Sequence, residues 1–306
     1  DPRNEIIVVP GGKHAIYCAC FATLNPGDEA LILSPAWPTY QTCVLAAGSR
    51  PVEVPTTGNY GLDEEALKKS VTRKTRMVIM NSPNSPTGGV LSEKEIKTIA
   101  DIAEDHDLFV LSDEIYDRIV YDGVKVRSIS TFRGMKERTI VANGFSKTYA
   151  MTGWRLGYAA ADKGVVEAMA VVQQATTTCP ASFAQKAAVA ALRGPQDCVK
   201  RMVEEYDRRR VALMKKLNDI PGISCAMPKG AFYFFPDVSS LKTPSEEVAE
   251  RLLEEEGVCS TAGSAFGNAG EGHIRLSYAA SIETILEAAE KLGSFVKRHR
   301  AKAIQR

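Results

Sequence analysis

Short runs of β-branched and other apolar residues alternate with segments of helical periodicity through the first half of the chain. The runs at residues 6–9, 29–33, 51–54, 76–80, 108–111, 139–142 and 156–160 predict strands. Several are apolar at consecutive positions rather than at every second one. That is the pattern of strands buried on both faces, as in parallel sheets covered by helices. Between them, residues 13–24, 38–47, 63–70 and 92–106 predict helices. Ser92 followed by Glu95 is a capping box, in which hydroxyl and carboxylate satisfy free N–H groups at a helix start. The alternation predicts an open α/β sheet with right-handed crossovers. Beyond about residue 162 the texture changes. Two long helices are expected at 165–191 and 196–218, then a shorter α+β region. In it, strands are expected at 231–235 and 272–277 and helices at 245–256 and 282–304.

Composition changes this picture little. The chain has 306 residues, 44% hydrophobic and 25% charged, enough to bury a core without disulfides or a structural metal. At ~150 residues per domain the length suggests about two domains. Lys+Arg number 38 and Asp+Glu 37, so no global field draws the chain to nucleic acid or to a membrane. The basic run KRHRAKAIQR at 297–306 reads as a solvated tail. No stretch approaches ~18 uninterrupted apolar residues, so no membrane span is predicted. The start, DPRNEIIVVPGG, lacks the basic-then-apolar layout of a signal segment. Seven cysteines, odd in number, scattered and without a CxxC, read mostly as small buried hydrophobes of a reducing, cytoplasmic setting. Four histidines in no HxxH or HExxH arrangement give no metal site, and no GxGxxG follows a strand as a dinucleotide site requires.

Three segments carry the candidate chemistry: NSPNSPTGG (81–89), SDEIYD (112–117) and NGFSKTYAMTGWRLGY (143–158). Each begins at the C-terminal end of an expected strand, the edge at which open α/β sheets bind ligands. A fourth, HIRLSYA (273–279), lies in the C-terminal part. With GGKHAI (11–16), SPAWPTY (34–40), PKGAFY (228–233) and GSAFG (263–267), they make the sequence resemble the class I/II aminotransferases. These are pyridoxal-phosphate enzymes of fold type I, and the likeness is to their aspartate-aminotransferase-like branch. It runs from Pro10 to the final helix.

The resemblance implies a mostly parallel seven-stranded sheet flanked by helices in a large domain (1–194). A smaller C-terminal α+β domain with its connecting helix would follow (195–306). It also implies a homodimer with active sites at its interface, acting on small amino acids and 2-oxo acids. Family chains carry a further segment ahead of the equivalent of Asp1, giving part of the small domain and a tyrosine for the neighbouring subunit's phosphate. The expectation is that this segment is lacking here.

Residue by residue, the resemblance makes Lys147 the amine that forms a Schiff base with pyridoxal 5'-phosphate and later shuttles the proton at Cα. Asp113 would pair with the ring nitrogen and keep it protonated. Tyr116 would bond the phenolic oxygen, and Trp37 would stack on the ring. Ser146, Arg155 and the N–H groups of Gly12 and Lys13 would hold the phosphate. Arg275 would clamp the substrate carboxylate, with Phe232 and Trp37 lining the pocket. Tyr40 reads as structural. Where the family commonly has asparagine before the Pro-Thr-Gly turn this chain has Ser85, and the neighbouring Asn84 is a second candidate for that role. Transamination is the leading reading. A β-eliminating lyase with the same machinery and a truncated, non-catalytic homologue are the alternatives.

Overall fold

The computed structural model describes residues 1–304, with side chains through Arg300. All seven expected strands of the first half are present, as β1 (Ile6–Val9), β2 (Glu29–Ser34), β3 (Arg50–Pro55), β4 (Thr75–Asn81), β5 (Phe109–Asp113), β6 (Thr139–Gly144) and β7 (Gly157–Ala160). Between the first five run helices α1 (Gly12–Thr23), α2 (Thr39–Ala46), α3 (Glu64–Ser70) and α4 (Glu93–Asp105). The capping box of Ser92 and Glu95 closes the start of α4. The strands form one sheet in the order β1-β7-β6-β5-β4-β2-β3. Every pairing is parallel except those that β7 makes with β1 and β6. Six strands therefore run one way, and their C-terminal ends share an edge.

The double-faced burial read from sequence has a direct packing cause. Ile32, Met77, Ile79, Leu111 and Ile140 face α1 and α2 in one cluster. Their chain neighbours Leu31, Val78, Met80 and Val110 face α4 in another. The central strands β2, β4 and β5 thus feed two cores, which keeps their middle positions apolar.

The C-terminal part consists of α5 (Lys163–Thr176), α6 (Ser182–Arg193), α7 (Asp197–Asn218), β8 (Tyr233–Phe234), α8 (Ser245–Glu256), β9 (Thr261–Ala262), β10 (Ile274–Ser277) and α9 (Ile282–Ile304). The single helix expected over 165–191 is instead α5 and α6. Pro180 disfavours a helical Cys179, and Thr178 ahead of it takes a positive φ of 63°. The strand expected over 231–235 shrinks to two residues of a small sheet ordered β8-β10-β9. The basic terminal run is not simply solvated. Arg298 pairs with Glu256, and His299 meets Glu255 of α8 at 2.7 Å; residues 301–306 lie outside the described side chains. Nor are most cysteines buried: Cys18, Cys20 and Cys43 are, whereas Cys179, Cys198 and Cys259 are exposed on the segments around α6 to α8.

One polar clasp ties this part to the sheet. Arg210 of α7, 1% exposed, bonds both carboxylate oxygens of Asp122 (2.8 and 2.9 Å), Asp207 (2.8 Å) and the Pro228 carbonyl (2.7 Å). A buried guanidinium persists only with its donors satisfied this fully. The clasp fixes residues 228–231, whose Lys229 and Gly230 N–H groups donate to the Gly88 carbonyl. Phe232 and Tyr233 follow directly, at the edge where the strands end.

Candidate active site

A cavity of about 280 Å³ opens at that edge, near the lower end of the ~300–1,000 Å³ usual for small-molecule sites. It is lined by Gly12, Lys13, Trp37, Ser85, Asp113, Tyr116, Ser146, Lys147, Arg155 and Arg275, all expected from sequence. It is also lined by Tyr40, Asn81, Ile115, Thr152 and Tyr233. Four of these side chains are cationic and one, Asp113, is a carboxylate. A field of that sign favours anionic ligands.

Asp113 ends β5, where the strand's apolar run gives way. It is 5% exposed. The Tyr40 hydroxyl donates to its Oδ2 at 2.7 Å and the Ile115 N–H to its Oδ1 at 3.1 Å. Burial pushes its pKa up to about 6, against the opposing pull of those two bonds and of Lys147. Glu114, the neighbour in sequence, turns away to bond Ser112 (3.0 Å) and Ser128 (2.6 Å). The alternation of a strand end thus selects which of two adjacent acids faces the cavity.

Lys147 follows β6. Its Nζ lies 5.1 Å from the centre of the Phe232 ring and 5.8 Å from that of Tyr116, a cation–π arrangement. Phe232 flanks the amine without lining the cavity. The Tyr116 hydroxyl is 3.1 Å from that of Tyr233, and burial raises its pKa well above that of a free phenol.

At one end of the cavity the chain turns from β1 into α1. The Gly12 and Lys13 N–H groups, in the first turn of α1, have no carbonyl four residues back within the helix. Gly11 before them has φ 91°, and a Cβ there would lie 2.7 Å from an Arg155 guanidinium nitrogen. Only glycine lets Arg155 close over this helix start. The same turn presses on Gly157 of β7, where a Cβ would lie 2.6 Å from Gly12 N. Two N–H donors, the Ser146 hydroxyl and a guanidinium form a donor set with no competing acid, which fits a phosphate.

At the other end Arg275, on β10, lies 4.5 Å from the Tyr233 ring centre and 4.9 Å from that of Phe266. Its guanidinium donates to the hydroxyls of Ser85 (3.3 Å) and Thr261 (3.4 Å). Long bonds to neutral hydroxyls leave its charge available. Of the two candidates before the Pro-Thr-Gly turn, Ser85 faces the cavity. Asn84 spends its side-chain oxygen on the N–H and hydroxyl of Thr87. Asn81 holds the turn, donating to the Asp113 carbonyl (2.9 Å) and accepting from Ser85 N–H (2.8 Å).

Residues 1–292 match the family model for aminotransferase class I and II. The chain belongs to that family. This aminotransferase is 47% identical over 296 residues to an aspartate aminotransferase of Pyrococcus abyssi, a match covering 95% of this chain and 76% of that protein. It is 46% identical to aromatic-amino-acid aminotransferase 2 of Thermococcus litoralis, over 97% of this chain and 77% of that one. The crystal structure of an aromatic aminotransferase from Pyrococcus horikoshii superposes with a TM-score of 0.95 at 45% identity, covering 97% of this chain and 81% of its own. The fold is that of fold type I, and the chain is a transaminase from a family whose members generally use pyridoxal phosphate. Among the described residues no helix is long and apolar enough to cross a membrane.

Sequence reasoning missed Tyr40, Asn81, Ile115, Thr152 and Tyr233 as cavity residues. Tyr40 carries a weak signal, standing one helical turn after Trp37. Tyr233 carries none, because what it meets lies more than a hundred positions away.

Proposed function

We propose that this cavity binds pyridoxal 5'-phosphate and exchanges amino groups there between an α-amino acid and a 2-oxo acid. The observation that carries the reading is the placement of Lys147 and Asp113 in one cavity, between a phosphate-type donor cup and the free charge of Arg275. Bound there, pyridoxal phosphate supplies an aldehyde that takes up amino groups and a protonated ring that draws electrons from the substrate Cα. Gly12, Lys13, Ser146 and Arg155 would hold its phosphate, Trp37 would cover its ring, and Tyr116 and Ser85 would donate to its phenolic oxygen. Lys147 would anchor it covalently. The Lys147 amine would also carry the proton to and from the substrate Cα. Arg275 fixes the substrate carboxylate and so orients the bond that loses its proton. Borohydride reduction of the chain with added cofactor, followed by peptide mapping, tests the proposal. A pyridoxyl adduct on Lys147 supports it, and an unmodified Lys147 overturns it.

Two variants separate the roles. In Arg275→Ala, KM for amino acid donors should rise by about 10²-fold, the worth of a charged bidentate pair. Simple amines, which lack the carboxylate, should react as before. In Ser85→Ala, cofactor affinity should fall by about 3–10-fold, the worth of one neutral hydrogen bond. Equilibrium dialysis showing unchanged affinity would remove Ser85 from the site.

We read residues 1–194 as the cofactor-binding domain and 195–306 as the C-terminal domain. An apolar cluster around Phe234, Tyr278 and Phe295, drawn mostly from residues beyond 200 and joined by Tyr116, Ile119 and Tyr121, supports that division. The reading extends to a homodimer, supported by the exposed Phe21, Val171, Phe183 and Leu192 on α1, α5 and α6.

A further inference from the structure

Tyr40 is the side chain closest bound to the cavity's carboxylate. Its hydroxyl donates to Asp113 Oδ2 at 2.7 Å while the backbone N–H of Ile115 takes Oδ1. The phenol is 1% exposed. Its ring is held on the first turn of α2, where Tyr40 N–H bonds the Trp37 carbonyl (3.1 Å). The Trp37 ring meets it edge-on at 5.8 Å. The donor therefore cannot swing away from the acid. With one oxygen tied to Tyr40 and the other to Ile115, the plane of the carboxylate is fixed.

We propose that Tyr40 is a positioning residue that keeps Asp113 ionised and oriented toward the cofactor's ring nitrogen. The proposal rests on the reading of this cavity as a pyridoxal-phosphate site. The physical argument has two parts. A buried carboxylate drifts toward its neutral form, and a neutral Asp113 could not stabilise a protonated ring. A hydrogen bond donated to the charged form opposes that drift. The donor itself does not lose its proton, because burial and the adjacent carboxylate raise the Tyr40 pKa well above that of a free phenol. The bond thus runs one way across the working pH range.

The other titratable groups around Asp113 act differently. Lys147, from the segment after β6, lowers its pKa through charge alone, and that charge changes when the amine is engaged. Glu114, next in the chain, is bonded to Ser112 and Ser128. The Tyr116 hydroxyl lies against that of Tyr233, not against Asp113. Among the described residues, Tyr40 is the side chain left to hold Asp113 independently of whether Lys147 is free.

The test is Tyr40→Phe in the full chain, which keeps the ring and removes the donor. The Asp113 carboxyl is titrated by ¹³C NMR without cofactor, its signal assigned by its loss in Asp113→Asn. The expected result is an upward shift of about one pKa unit. A fluorinated tyrosine at position 40, a stronger donor of nearly the same shape, should shift the same signal downward, which a merely space-filling role would not do. In the loaded enzyme kcat should fall about tenfold with KM for the amino donor within about twofold, the mark of an interaction spent on the reacting state. An Asp113 signal that titrates at the same pH in all three proteins overturns the role of Tyr40, even where wild-type chain takes up pyridoxal phosphate normally. A wild-type chain that takes up none overturns the reading of the cavity, and the role of Tyr40 with it, whatever Asp113 does.

Discussion

Lys147→Ala should lose transamination by ~10⁴-fold or more, the largest effect of any single change in the chain. Two functions leave with one amine, the anchor for the cofactor and the proton carrier at Cα. No neighbour is placed to take over. The other lysine of the cavity, Lys13, rests its Nζ 4.9 Å from the centre of the Trp37 ring and belongs to the helix that starts the phosphate cup. Folding should survive, because the Lys147 amine faces rings rather than an ion-pair partner. Turnover measured with a panel of amino donors and 2-oxoglutarate checks the expectation. Activity above about one per cent of wild type would mean that another group moves the proton. Cofactor should still enter, held by the cup, but should leave on dialysis.

Asp113→Asn should move rate and stability in opposite directions. The rate should fall by about 10³-fold, in line with removal of one preorganised electrostatic partner of the reacting state. The cofactor-free chain, by contrast, should become more stable. Its carboxyl has a folded-state pKa of about 6 against an ordinary value of 3.8, so the folded chain binds the proton more tightly than the unfolded one. Wild-type stability therefore falls as pH rises through the window between those two values and is flat above it. At pH 7 that cost is on the order of 3 kcal/mol, and the amide, which never ionises, escapes it. The variant should melt about 4–6 °C higher at pH 7, with the difference gone below about pH 4. Thermal melts across that range test the sign directly. A variant that melts lower than wild type at pH 7 would show that the buried charge is better compensated than its two hydrogen bonds suggest. The expected cost is the signature of a group kept ionised for chemistry rather than for packing.

What the sequence showed and what it hid divide along contact distance. The central strands β2, β4 and β5 were legible because each carries apolar residues for two cores within a handful of consecutive positions. Lys147, Asp113 and Arg155 were singled out by resemblance to the aminotransferases, with Asp113 ending the apolar run of β5 and Lys147 following that of β6. The break between α5 and α6 was not legible, since helical periodicity resumes after Pro180 and masks the interruption. Tyr40 looked like packing because the acid it bonds lies 73 positions on, and nothing local marks the pair. The choice between Asn84 and Ser85 turned on Thr87, whose hydroxyl and N–H claim the asparagine side chain. A motif shows which residues are present in a turn but not which of them the turn consumes.

The close meeting of Gly12 and Gly157 sets an order on how the site comes into being. One half of the phosphate cup is made near the start of the chain and the other half around its middle. The cup exists only once β7 has paired with β1, a closure of long loop and so a late one in folding. A ligand that needs both halves binds only chains in which that edge has zipped, and by mass action it draws the population toward them. Pyridoxal phosphate would then act as a fastener for the sheet as well as a reagent within it. Its supply would set how much of the newly made chain escapes proteolysis, before a single amino group has been moved.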